Sequence, residues 1–115
     1  MQEFAKYDAM GLAELVKNKD VKPIELVETA IARIESVNDK LACVNIENYD
    51  NARAQAEDGV PDGPFSGVPL LLKDLLTGYA GMRTTNGSRY FEDFVAPVDS
   101  AIATRINEGG FIRLA

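Results

Sequence analysis

The chain has 115 residues, of which 46% are apolar and 26% charged, and its net charge is −6. That is about one domain's worth of ordinary globular composition, and no basic face is present for phosphate contacts, so nucleic-acid binding is not expected. With no histidine and a single cysteine, Cys43, these residues alone cannot complete a Ser-His-Asp or Cys-His site, a usual zinc site or an internal disulfide.

Asp8 is placed to cap a first helix whose apolar side is Met10, Leu12, Ala13, Leu15 and Val16, with Lys17 to Asp20 as its polar exit. Pro23 suits the first turn of a second helix. Ile24, Val27, Ile31 and Ile34 recur there at helical spacing, and Leu26, Ala30 and Val37 widen the stripe. Asn38-Asp39 is read as its end. Leu41 to Ile46 is expected to be a short strand, with Cys43 as a small buried residue inside it. Asp50 is the expected cap of a third, alanine-rich helix through Ala56. The cluster from Asp58 to Pro64 is a dense turn.

Val68 to Leu72 is the strongest strand signal, a continuous apolar run of the kind buried on both faces of an α/β sheet. After Leu76 comes a long loop rich in glycine and threonine, and loops of that length often carry function. Tyr79, Tyr90, Phe91 and Phe94 are read as core anchors. Asp99 or Ser100 caps a fourth helix with Ile102, Ala103 and Ile106, which Gly109-Gly110 ends. Phe111 to Ala115 then begins a strand. A right-handed crossover would set it parallel to the strand at Leu70, leaving an open edge near Phe111 to Leu114.

Lys73 is the unusual residue. It follows five apolar residues in GVPLLLKDLL, and without histidine any acid–base work falls to lysine, tyrosine or carboxylates. One reading is a strand end whose ammonium reaches water along its aliphatic stem. The other is an amine kept neutral by an apolar setting so that it can act as a base. Strand alternation would turn Asp74 to the opposite face from Lys73.

The leading helices, the Pro/Gly turn, GVPLLLKD at 67–74, TTNGS at 84–88 and DSAIATRINEGG at 99–110 together resemble the N-terminal part of the amidase signature family. The resemblance implies an α/β fold: N-terminal helices followed by part of a mixed α/β/α sheet, with residues 1–115 as a single partial domain. It implies cleavage of carbon–nitrogen amide bonds through a Ser–cis-Ser–Lys triad, with Lys73 as the base. The two serines and the oxyanion glycines of such a triad belong to a downstream Gly/Ser-rich segment, and none of Ser36, Ser66, Ser88 and Ser100 sits in such a cluster. Ser88 matches a family Gly-Ser pair ahead of the nucleophile region. Met82, Thr84, Thr85, Asn86, Gly87 and Ser88 are the candidates for lining a substrate pocket. The expected partner is a small-molecule amide, with homo-oligomerisation or pairing with a further C-terminal portion as assembly routes. No cofactor and no metal is called for. No secretion signal and no membrane span is read, so a cytoplasmic setting is expected. The alternative function is a stand-alone, non-catalytic binding or assembly module built on the same fold.

Overall fold

A computed structural model describes residues 1–115. Helix α1 spans Ala9–Lys17, and the Asp8 carboxylate accepts from the Gly11 N–H at 2.8 Å, the cap expected from the sequence. Helix α2 spans Pro23–Leu41 with its proline in the first turn, and the Glu25 carboxylate accepts from the Lys22 N–H at 2.9 Å. α2 runs through Asn38-Asp39 rather than stopping there. It closes only where Ala42 enters the left-handed region at φ 47°.

The strand expected over Leu41 to Ile46 does not form. The Asn38 side chain takes its place, accepting from the Val44 N–H at 2.9 Å and donating to the Val44 carbonyl at 2.8 Å. Both backbone groups a ladder would use are thus satisfied locally. Cys43 is carried to the surface by this turn and is an exposed free thiol, not a buried one. Helix α3 spans Tyr49–Asp58, and its N-cap is Asn48, not Asp50.

Strand β1 (Pro69–Leu70) and strand β2 (Ile112–Arg113) pair in parallel, with Pro69 opposite Ile112 and Leu70 opposite Arg113. Hydrogen bonding extends beyond the named strands, with Gly67 N–H donating to the Gly110 carbonyl and Leu72 N–H to the Ala115 carbonyl, each at 2.9 Å. Helix α4 (Ala101–Glu108) makes the crossover, capped by Ser100. The edge expected to lie open at β2 is covered in part. Asn48 donates its backbone N–H to the Leu114 carbonyl at 2.9 Å and its side-chain amide to the Arg113 carbonyl at 3.0 Å.

Ile112 and Leu114 drop into the main core, against Val27, Ala30 and Ile31 of α2 and Tyr49 and Ala52 of α3. Leu12, Leu26 and Val68 form a second cluster joining α1, α2 and the residue that leads into β1. Burying each such aliphatic side chain stabilises the fold by about 1.5–3 kcal/mol. Gly110 makes the turn into β2 at φ 85°, and a Cβ there would stand 2.7 Å from the Pro61 carbonyl oxygen and from Ser66 Cα. The turn after α4 is therefore nested directly against the Asp58–Pro64 turn cluster and Ser66, which is what brings β2 alongside β1.

Of the four aromatic residues expected as core anchors, only Tyr79 is buried. Tyr90 is 88% exposed and stacks edge-on against Phe91, which in turn meets Phe94. Their segment folds back on the 81–84 stretch instead of entering the core. Thr84 N–H bonds the Phe94 carbonyl and Ala96 N–H the Met82 carbonyl, both at 2.9 Å.

Candidate active site

Beyond Leu72 the chain leaves the ladder, and Lys73 and Asp74 separate by turn geometry, not by strand alternation. Lys73 is exposed within this segment, as a strand end reaching water would be and not in the apolar setting of the other reading, and its carbonyl accepts from Leu75 N–H at 2.8 Å and from the Thr77 hydroxyl. Asp74 turns inward. Its carboxylate accepts from the Thr85 backbone N–H at 2.7 Å and also from the Thr85 hydroxyl. A little further on, the Leu76 N–H donates to the Asn86 side-chain oxygen at 2.9 Å. Leu76 and Asn86 both adopt positive φ, 59° and 51°. The two motifs GVPLLLKD and TTNGS are thus joined side by side through Asp74–Thr85 and Leu76–Asn86.

A small cleft of about 60 Å³ opens beside this junction. Lys73, Asp74, Met82 and Thr84 line it, together with Tyr79 and Arg113. Thr85, Asn86, Gly87 and Ser88 do not form its wall. They stand behind it, with Thr85 and Asn86 bonded to the Lys73 segment and Ser88 capping a short 3₁₀ turn through Tyr90 N–H at 3.2 Å. The pocket candidates therefore divide into two wall residues and a supporting loop.

Sequence reasoning did not single out Arg113. It is 5% exposed, sits in β2 and lies over the Tyr79 ring. Burial pulls its guanidinium below the usual arginine range, opposed by Tyr79 and Asp99. Burial likewise pushes the Tyr79 hydroxyl above its ordinary value. An arginine inside an otherwise apolar terminal run was the available signal in the sequence.

The family model described as Amidase matches residues 25–115. A 6-aminohexanoate-cyclic-dimer hydrolase from Pseudomonas sp. (strain NK87) is 34% identical over 109 residues, covering 93% of this chain and 22% of that protein. A glutamyl-tRNA(Gln) amidotransferase polypeptide from Methylobacillus flagellatus is 32% identical, covering 90% of this chain and 22% of its own length. A solved structure of a 6-aminohexanoate cyclic dimer hydrolase complexed with substrate superposes with a TM-score of 0.86 at 33% identity, over 95% of this chain and 23% of that one. The chain thus spans less than a quarter of the length of the relatives it matches. No helix is long and apolar enough to cross a membrane. The motif junction around Asp74 and Thr85, the parallel β1–β2 pair and these matches agree, and the chain belongs to the amidase signature family, of which it is an N-terminal segment.

Proposed function

We propose that the protein carrying this segment hydrolyses a small-molecule amide, with Lys73 as the general base of a Ser–cis-Ser–Lys mechanism. The two serines lie outside these 115 residues. In this reading the neutral Lys73 amine accepts a proton from a bridging serine, which takes one from the nucleophilic serine. The serine oxygen adds to the amide carbonyl carbon, the C–N bond breaks, and the leaving amine carries away a proton. Water then cleaves the acyl-enzyme. Backbone N–H groups would hold the oxyanion.

The observation that carries the reading is the position of Lys73 on the cleft wall, one residue before an aspartate that fastens the TTNGS loop. That arrangement holds the base on the wall of a small cleft, with no carboxylate of this segment in ion-pairing range of its side chain. The test is amide hydrolysis by the full-length protein and its Lys73→Ala variant. A loss of about 10²–10⁴-fold is expected for removal of a general base. Comparable rates in the two proteins would remove Lys73 from the mechanism.

A further inference from the structure

Both oxygens of the Asp74 carboxylate are held by one residue. Oδ1 accepts from the Thr85 backbone N–H at 2.7 Å, and Oδ2 accepts from the Thr85 hydroxyl. That hydroxyl in turn accepts from the Gly87 N–H at 3.3 Å. It therefore sits inside a tight turn, closed by the Ser88 N–H donating to the Thr85 carbonyl at 2.9 Å. Asn86 and Gly87 both take positive φ there, 51° and 67°, the pairing that a mirror-image turn requires. The turn is anchored on its far side as well, where the Thr84 N–H bonds the Phe94 carbonyl and the Ala96 N–H bonds the Met82 carbonyl.

Lys73 lies at the other end of this chain of bonds. The ladder with β2 reaches Leu70 and Leu72. Past it, the peptide that carries Lys73 is tied to the 84–88 turn, through Asp74 and through the Leu76 N–H on the Asn86 side-chain oxygen. With both oxygens taken, the Asp74 carboxylate makes no ion pair with the neighbouring lysine and reaches it only along the shared backbone. All of these bonds are made among residues 73–96.

We propose that Asp74 and Thr85 are positioning residues for Lys73: their paired side chains fix the peptide from which the lysine amine reaches the reacting serines. This rests on the amide-hydrolase reading and adds to it the residues that set the base in place. A reacting group displaced by about 1 Å loses on the order of 10²-fold in rate, so a firm mounting for a long, flexible lysine has a direct chemical return.

The test follows labelling of the nucleophilic serine of the full-length protein by a small alkyl fluorophosphonate, in which the serine oxygen bonds phosphorus and fluoride leaves. Intact mass counts the labelled protein, so slow variants are followed over hours, and the maximal rate is separated from the half-saturating concentration. Thr85→Val keeps the backbone bond and loses the hydroxyl. It should lower the maximal rate about tenfold, and Asp74→Ala about 10²-fold, with half-saturation changed by less than about twofold. Thr85→Ser restores the hydroxyl and should recover most of the rate lost in Thr85→Val. In a Lys73→Ala background neither substitution should slow labelling further, because residues that act through one group are not additive. A role in folding alone slows labelling equally in both backgrounds.

Wild-type rates in Asp74→Ala and Thr85→Val, or an equal added loss in the Lys73→Ala background, overturn the proposal. Should Asp74→Ala fail to fold, Thr85→Val and Thr85→Ser complete the same comparison. A Lys73→Ala variant that labels at the wild-type rate overturns the amide-hydrolase reading. Loss of labelling in Lys73→Ala with full rates in Asp74→Ala and Thr85→Val overturns the positioning role alone.

Discussion

The carboxylate of Asp74 receives both the backbone N–H and the hydroxyl of Thr85, a residue eleven positions further along the chain. This double acceptance fastens the loop bearing Thr84 to the segment bearing Lys73. Hydrogen bonds to a charged acceptor contribute about 1.5–3 kcal/mol. Asp74→Ala should therefore lower stability by about that amount, and Thr85→Val, which keeps the backbone bond, by less. Denaturant titration of both variants provides the check. Equal stability of wild type and Asp74→Ala would show that the clamp is slack.

Asn48 serves two elements at once, its backbone carbonyl accepting from Ala52 N–H in the first turn of α3 while its amide and backbone N–H donate to the Arg113 and Leu114 carbonyls. Replacing it with alanine removes the side-chain bond and leaves the buried Arg113 carbonyl short of a partner. A loss of about 1–3 kcal/mol is expected, more than a typical surface substitution. Asp50→Ala, at the residue the sequence suggested as cap, should cost well under that. Thermal melts of the two variants provide the check, and a larger loss for Asp50→Ala would mean that the bond to β2 matters little.

Gly110→Ala meets two obstacles, a φ of 85° and backbone atoms of Pro61 and Ser66 within 2.7 Å of the new methyl group. The neighbours are main chain and cannot swing aside. Destabilisation should exceed the roughly 1–2 kcal/mol of left-handed strain alone. Gly81→Ala has a nearly equal φ of 81° but meets nothing within 4 Å, so it isolates the strain contribution. Urea midpoints that coincide for the two variants would refute the close-packing explanation.

Tyr49 provides a pH signature. Its hydroxyl is buried without a partner, and burial, followed by the nearby Glu47 and Glu35, raises its pKa above the ordinary 10.0. A raised folded-state pKa means the folded protein holds its proton more tightly than the unfolded chain does. The contribution to stability is complete below the unfolded value and is lost as pH climbs through the folded one. Tyr49→Phe should flatten the alkaline decline while leaving neutral-pH stability unchanged or slightly higher, since an unsatisfied hydroxyl is removed. An alkaline profile identical to wild type would exclude Tyr49 as its source.

Helices were the most legible part of the fold, because Leu12, Val27 and Ile31 repeat at helical spacing and Asp8, Pro23 and Ser100 mark starts by local chemistry. The parallel pairing of the Leu70 run with the terminal segment was also readable, from the intervening helix and the handedness of crossovers. What failed was decided by distant or side-chain partners. Asn38 replaces a strand by bonding Val44, and Asn48 stands at the start of α3 with its amide spent on β2 and not on the helix. Neither bond has a periodic trace in the sequence. At the site, Lys73 stood out as a lysine breaking an apolar run. Arg113 did not, because its burial over Tyr79 follows from the pairing of β2 with β1 and from the course of the loop after Leu76, which only three-dimensional placement reveals.

The core around Val27 and Ile31 is closed by Ile112 and Leu114, residues made some eighty positions later in the chain. During synthesis the Val27–Ile31 face of α2 must therefore wait, covered only in part by Phe4 and α3, until β2 leaves the ribosome. Any interruption of translation before Ile112 releases a polypeptide whose central helix is still unprotected, and such a product is a natural client for chaperones that hold exposed aliphatic surface.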